Sequence, residues 1–126
     1  MVPQDLRYTK EHEWVRVEGD MATVGITDYA AEQLGDIVFV ELPEIGRSIA
    51  QAAAVGVIES VKAVSDLFAP IGGEVVESNS ELSGEPELIN SDPFGRGWML
   101  RVKVANPTEV GNLLDAAAYE ALISEA

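Results

Sequence analysis

The stretch AVGVIESVKAVSDLFAP, Ala54 to Pro70, reads as two apolar strands folded back on one another with Lys62 at the bend. Only Val61, Lys62 and Ala63 stand between the strands, without the Gly, Pro or Asn that ordinarily reverses a hairpin. Glu59 and Asp66 flank the lysine and mark the strand ends. A lone lysine at such a tip implies antiparallel structure and raises the question of what the amine is for.

Outward from the hairpin, strand and turn signals alternate. Trp14, Val15 and Val17 open a strand, Glu18–Asp20 turns the chain, and MATVGIT returns it. Thr27 or Asp28 can cap a short helix, DYAAEQL, which Gly35 closes. DIVFVEL is a strand stopped by Pro43, GEVVESN is another after Gly72 and Gly73, and PELIN suggests a helical turn. WMLRVKVA predicts a strand with Trp98, Leu100, Val102 and Val104 inward and Met99, Arg101 and Lys103 outward. Asp115 caps a final helix, AAAYEALISEA, with an apolar stripe of Tyr119, Leu122 and Ile123. GDIVFVELPEIG and GEVVESNSELSG, offset by 38 residues, echo one another on either side of Lys62 and suggest a duplicated strand unit. The expected fold is mostly β: antiparallel strands closing a flattened barrel or sandwich, with short peripheral helices and a C-terminal helix. It is expected to form a single domain over 1–126, with its core over roughly 12–105 and a helical tail over 107–126.

Composition narrows the function. At 126 residues, 47% of them apolar, the chain buries about two-thirds of its unfolded surface and is not disordered. A net charge of -14 argues against nucleic acid and against anionic membranes, which need clustered Lys and Arg. It also suits a soluble monomer steered toward basic patches on partner proteins. There is no cysteine and only one histidine, so thiolate, zinc-thiolate and multi-histidine chemistry cannot come from this chain's own side chains. Redox or nucleophilic sulfur would have to arrive on a cofactor. No apolar run is long enough to span a bilayer, and MVPQDLRYTKEHEW lacks the features of a secretion signal, so the cytoplasm is the expected compartment.

The chain has three lysines, and Lys10 and Lys103 sit in charged or solvent-facing settings. Schiff-base chemistry at Lys62 needs burial or a cationic neighbour, whereas the tip is exposed and its surroundings are acidic. Two readings remain open on local grounds. One is a solubilising lysine. The other is a covalent attachment point, where acylation removes the charge and hangs a flexible arm from a rigid turn.

ESVKAVSDLFAP resembles the lipoyl-attachment segment of the H protein family of the glycine cleavage system. HEWV, VGITDYAAEQLGDIVFVELPEIG, GGEVVESN, PELINSDPFGRGWMLRVK and LLDAAAYEAL resemble that family in order and spacing, from Leu6 to Ser124. The resemblance implies a lipoyl-type barrel-sandwich hybrid carrying lipoate in amide linkage on Lys62. It implies a carrier, not an enzyme. The partners would be a pyridoxal-phosphate glycine decarboxylase, a tetrahydrofolate-dependent aminomethyltransferase, dihydrolipoamide dehydrogenase and the lipoate-attaching enzymes. The arm would shuttle the aminomethyl group of glycine and be reoxidised by thiol–disulfide exchange. Glu59 and Gly73 are expected to serve recognition by the attaching enzyme, Gly73 through a neighbouring strand passing close to the hairpin. Glu11, Glu13 and Asp66 are expected to line an acidic cleft for the loaded arm. His12, beside Trp14, is expected to be a packing and strand-end residue. Lipoyl domains of 2-oxo acid dehydrogenases usually place Asp before the lysine, and biotin carriers place Met on both sides. Val61 and Ala63 fit neither. A lipoate relay or an unmodified adaptor is the alternative function.

Overall fold

Period-two alternation and short turns organise most of the chain. The structure is a computed structural model and describes residues 2–124. Arg7–Tyr8 forms β1, Glu13–Glu18 β2 and Met21–Ile26 β3. Glu18 pairs with Met21 across a two-residue turn in which Gly19 takes a φ of 65°, a left-handed conformation that glycine adopts without strain. Helix α1, Asp28–Leu34, starts where the Thr27 side chain accepts the Ala30 N–H and ends at Gly35, whose N–H reaches the Ala31 carbonyl. The chain continues through β4 (Ile37–Glu41), β5 (Ser48–Ile49), β6 (Ala54–Ser60), β7 (Val64–Phe68) and β8 (Gly73–Ser78). Two single-turn helices follow, α2 (Glu81–Gly84) and α3 (Leu88–Ser91), then β9 (Leu100–Val104) and α4 (Ala116–Ser124). The last two residues of the predicted final helix lie outside the described residues.

Every strand pairing is antiparallel, in a six-stranded sheet ordered β1-β2-β3-β9-β8-β5 and a three-stranded sheet ordered β4-β6-β7. Ile58 and Leu67 from the smaller sheet join Val24, Val75, Leu100 and Val102 from the larger in one buried cluster. The packed interior extends beyond 12–105. Leu6 and Tyr8 at one end, with Ala116 and Tyr119 at the other, close over Trp14 in a second cluster.

The internal echo has a structural counterpart. The β4–β6 register slips between Ile37 and Phe39, and the β8–β9 register slips between Val75 and Glu77. The residues skipped, Val38 and Val76, stand 38 positions apart, the offset that separates Gly35 from Gly73. Each bulge follows a buried residue, Ile37 or Val75, and the two copies lie in different sheets.

One strand orientation differs from the sequence reading. Met99 is fully buried, not outward. The strand begins only at Leu100, and although the Met99 N–H donates to the Val24 carbonyl at 2.7 Å and its carbonyl accepts the Asn79 N–H at 3.0 Å, Met99 and Leu100 are buried in succession, so alternation does not reach back to Met99. Asn79 holds that turn by donating from Nδ2 to the Arg96 and Trp98 carbonyls at 2.8 Å each.

Candidate functional site

The β6–β7 hairpin closes with Glu59 opposite Val64. A bend lacking Gly, Pro and Asn is built here from a serine. The Ser60 N–H donates to the Ala63 carbonyl at 2.8 Å, and Ser60 Oγ accepts the N–H groups of Lys62 and Ala63 at 3.3 and 3.0 Å. Ser60 is itself buried, so the turn is tied into the sheet. From the other side the Val61 N–H donates to the Asp36 carbonyl at 3.0 Å. Sequence reading missed Ser60, although a serine two residues before a turn lysine is a recognisable side-chain-to-backbone turn signal.

With its backbone pinned on both flanks, Lys62 is exposed. Its aliphatic stem lies across Gly35, close enough that an added Cβ there would sit 3.3 Å from Lys62 Cε. The ion pairs among the described residues are Arg96–Glu81 at 3.0 Å and Arg101–Glu77 at 3.2 Å, and Lys62 belongs to neither. Beside it on the outer face of the smaller sheet, Glu59 stands between Phe39 and Val64, all three exposed. An enzyme reaching Lys62 therefore meets a carboxylate set in an apolar strip.

The residues expected to form an acidic cleft divide. Glu11 and Glu13 line one recess of about 400 Å³ with Tyr8, Phe68, Pro70 and Leu114. Asp66 lines a different, wider hollow of about 840 Å³ with Glu41, Glu44 and Arg47. The smaller recess suits the chemistry of an apolar arm better, since its wall is mostly hydrocarbon. Its one deeply buried carboxyl is Glu13, which accepts the Thr9 hydroxyl on one oxygen and the Phe68 N–H at 3.2 Å on the other. Burial pushes this carboxyl up to about 7 against the downward pull of those hydrogen bonds, so at neutral pH it can hold or release a proton. Strand β7 runs from the Lys62 turn to this recess, Val64 at one end and Phe68 at the other, a span of about 13 Å.

His12 sits at the strand end, as expected, with a left-handed φ of 73°. Its Nδ1 lies 2.9 Å from the Tyr119 hydroxyl, which in turn lies 2.7 Å from Thr27 Oγ1, and burial lowers its pKa. Gly73 is not beside the hairpin. It opens β8 in the other sheet, paired with Ile49 and Val104, because β8 hydrogen-bonds to β5 and β9 and not to β6 or β7. A side chain there would overlap the Lys103 carbonyl oxygen, which is reason enough for glycine.

Comparison with known proteins places the chain in a family. The family model described as glycine cleavage H-protein matches residues 6–126. The glycine cleavage system H protein of Symbiobacterium thermophilum is 60% identical over 124 residues, covering 98% of this chain and 97% of that one. That of Bacteroides fragilis is 55% identical over 122 residues, covering 97% of each. A crystal structure of the H protein from Mycobacterium marinum superposes with a TM-score of 0.90 at 41% identity, covering 98% of this chain and 99% of that one. The sheet topology, the exposed hairpin lysine and full-length similarity to these proteins lead to one assignment: the chain belongs to the glycine cleavage H-protein family.

Proposed function

We propose that Lys62 is the residue on which this H protein carries its lipoate, and that the Glu11–Glu13 recess receives the arm between encounters. As a member of its family the chain is the lipoyl carrier of the glycine cleavage system, working with the P, T and L proteins and not as a catalyst itself. The family's lipoate is held covalently on a lysine and supplies the disulfide–dithiol couple that a chain without cysteine lacks. The observation that carries the attachment reading is the pinned tip: Ser60 and Asp36 fix the backbone around Lys62 while its side chain stays exposed and belongs to neither ion pair among the described residues.

The chain's own residues then have separable tasks. Ser60 holds the turn that offers the amine, and Glu59, at the strand end, is the contact read by the attaching enzyme. Phe68, Pro70 and Leu114 exclude water from a bound apolar arm. Glu13 meets a charged end group with a carboxyl that titrates near neutrality. Glu11 adds negative charge at the same recess, whereas Asp66 acts outside it. Gly73 serves recognition only indirectly, by letting β8 close on β9. The cytoplasm is the inferred setting, supported by bacterial relatives, and no helix among the described residues is long and apolar enough to cross a membrane.

Incubating the apo-protein with a lipoate-attaching enzyme and an activated lipoate donor tests the attachment. The expected result is one lipoyl mass increment mapped to the peptide containing Lys62. Lys62→Arg is expected to fold with unchanged stability, because the Lys62 side chain is exposed and belongs to neither ion pair among the described residues, and to take up no lipoate. Label on Lys10 or Lys103 overturns the proposal.

A further inference from the structure

We propose that Asn90, on α3, is the positioning residue of the carrier hairpin. The inference rests on Lys62 being the attachment site. Helix α3 is anchored by Ile89, fully buried, and Leu88, nearly so. From it the Asn90 side chain reaches the segment leading into β4. Its Nδ2 donates to the Gly35 carbonyl at 2.8 Å, and its Oδ1 accepts the Ile37 N–H at 2.9 Å. One amide thus grips the backbone on both sides of Asp36 as a neighbouring strand would.

The residue between the two gripped groups is the one that matters at the tip. The Asp36 carbonyl accepts the Val61 N–H at 3.0 Å, and Gly35 is the surface over which the Lys62 stem lies. Asn90 touches neither Val61 nor Lys62 through these bonds, yet it fixes both groups that do. Ser60 shapes the turn from within. Asn90 sets where the shaped turn sits relative to the rest of the molecule. Without it, the Gly35–Ile37 segment retains the Gly35 N–H bond to Ala31 and the β4–β6 pairing, so the sheet survives while the tip loses its outer support.

The test compares lipoylation kinetics of three folded proteins using a lipoate-attaching enzyme as the probe. Asn90→Ala is expected to lower kcat/KM for acylation about tenfold, through KM, because a smaller fraction of molecules presents the tip correctly. Hydrogen exchange at the Val61 amide is expected to accelerate relative to Ile58 and Leu67 in the same hairpin. Leu82→Val, a core truncation on α2, is expected to cost comparable stability and change neither readout. If Asn90→Ala does not fold, Asn90→Asp keeps the acceptor for Ile37 but sets a carboxylate oxygen against the Gly35 carbonyl, and the same kinetic loss is expected. Unchanged acylation in the Asn90 variants, an equal loss in Leu82→Val, or an unprotected Val61 amide in the wild-type protein overturns the proposal. A wild-type protein that takes no label on Lys62 overturns the attachment reading instead, so the two failures are distinguishable.

Discussion

Glu13 is a carboxyl only 1% exposed, and such a group survives in a fold only if hydrogen bonds and protonation offset its lost hydration. The Thr9 hydroxyl and the Phe68 N–H supply the hydrogen bonds, but burial outweighs them and the pKa rises from 4.5 to about 7. The sign of the linkage follows. Between those two values the folded protein keeps a proton that the unfolded chain has released. Glu13 therefore contributes its full stabilisation below pH 4.5 and loses it as pH climbs through about 7. Glu13→Gln keeps the shape, an acceptor for Phe68 and a group that can pair with Thr9, and cannot titrate. From about pH 5 to about pH 8, its unfolding free energy is expected to gain about 1–3 kcal/mol on the wild type. Urea denaturation at several pH values measures this, and a difference independent of pH disproves it. The sequence shows Glu13 as an acid but not as a buried one. Its burial depends on Phe68, 55 residues away, whose approach no local pattern encodes.

At the level of elements, α4 is held by more than its apolar stripe. Tyr119 stacks on Tyr8 with ring centroids 4.7 Å apart, and its hydroxyl bridges His12 Nδ1 and Thr27 Oγ1. Burial raises the Tyr119 pKa to about 12, so the phenol stays protonated and available as a donor. Tyr119→Phe keeps the stacking and removes the bridge, and is expected to cost about 1–2 kcal/mol. Amide exchange in α4 is expected to rise before exchange in β6 and β7. Uniform acceleration across both would show that the hydroxyl acts on the whole fold instead. The stripe itself was legible, as were the β2–β3 hairpin, the helix start at Thr27 or Asp28, the Gly35 cap and the Lys62 hairpin, because each is written in neighbouring residues. β1 and β5 were not, since two-residue strands are defined by their partners alone. Met99 was misread because it is buried beside an equally buried Leu100, in a backbone gripped by Val24 and Asn79 from segments far away in the chain. The exposed hairpin tip bearing Lys62 was legible, whereas Ser60 and Asn90, which act through backbone groups, and Thr9, which acts on a buried carboxylate, were opaque.

Across the whole molecule, an excess of negative charge bears on both stability and encounter. The chain carries 22 acidic and 8 basic residues, and the two ion pairs among the described residues are both substantially exposed and so worth little. Most of the negative charge is therefore unpaired and directed at solvent. Two consequences of opposite sign follow from one cause. Self-repulsion destabilises the folded state, so added salt, by screening it, is expected to raise Tm by a few degrees between about 50 and 500 mM NaCl. The same field steers the protein toward basic patches wherever its partners present them, so the same salt is expected to lower the association rate constant about tenfold or more. Thermal unfolding and stopped-flow association in matched buffers read both. A Tm that rises while association stays constant would place recognition in the apolar strip of Phe39 and Val64 instead of the field. A Tm that falls would mean that surface ion pairs, not repulsion, dominate the electrostatics of the fold.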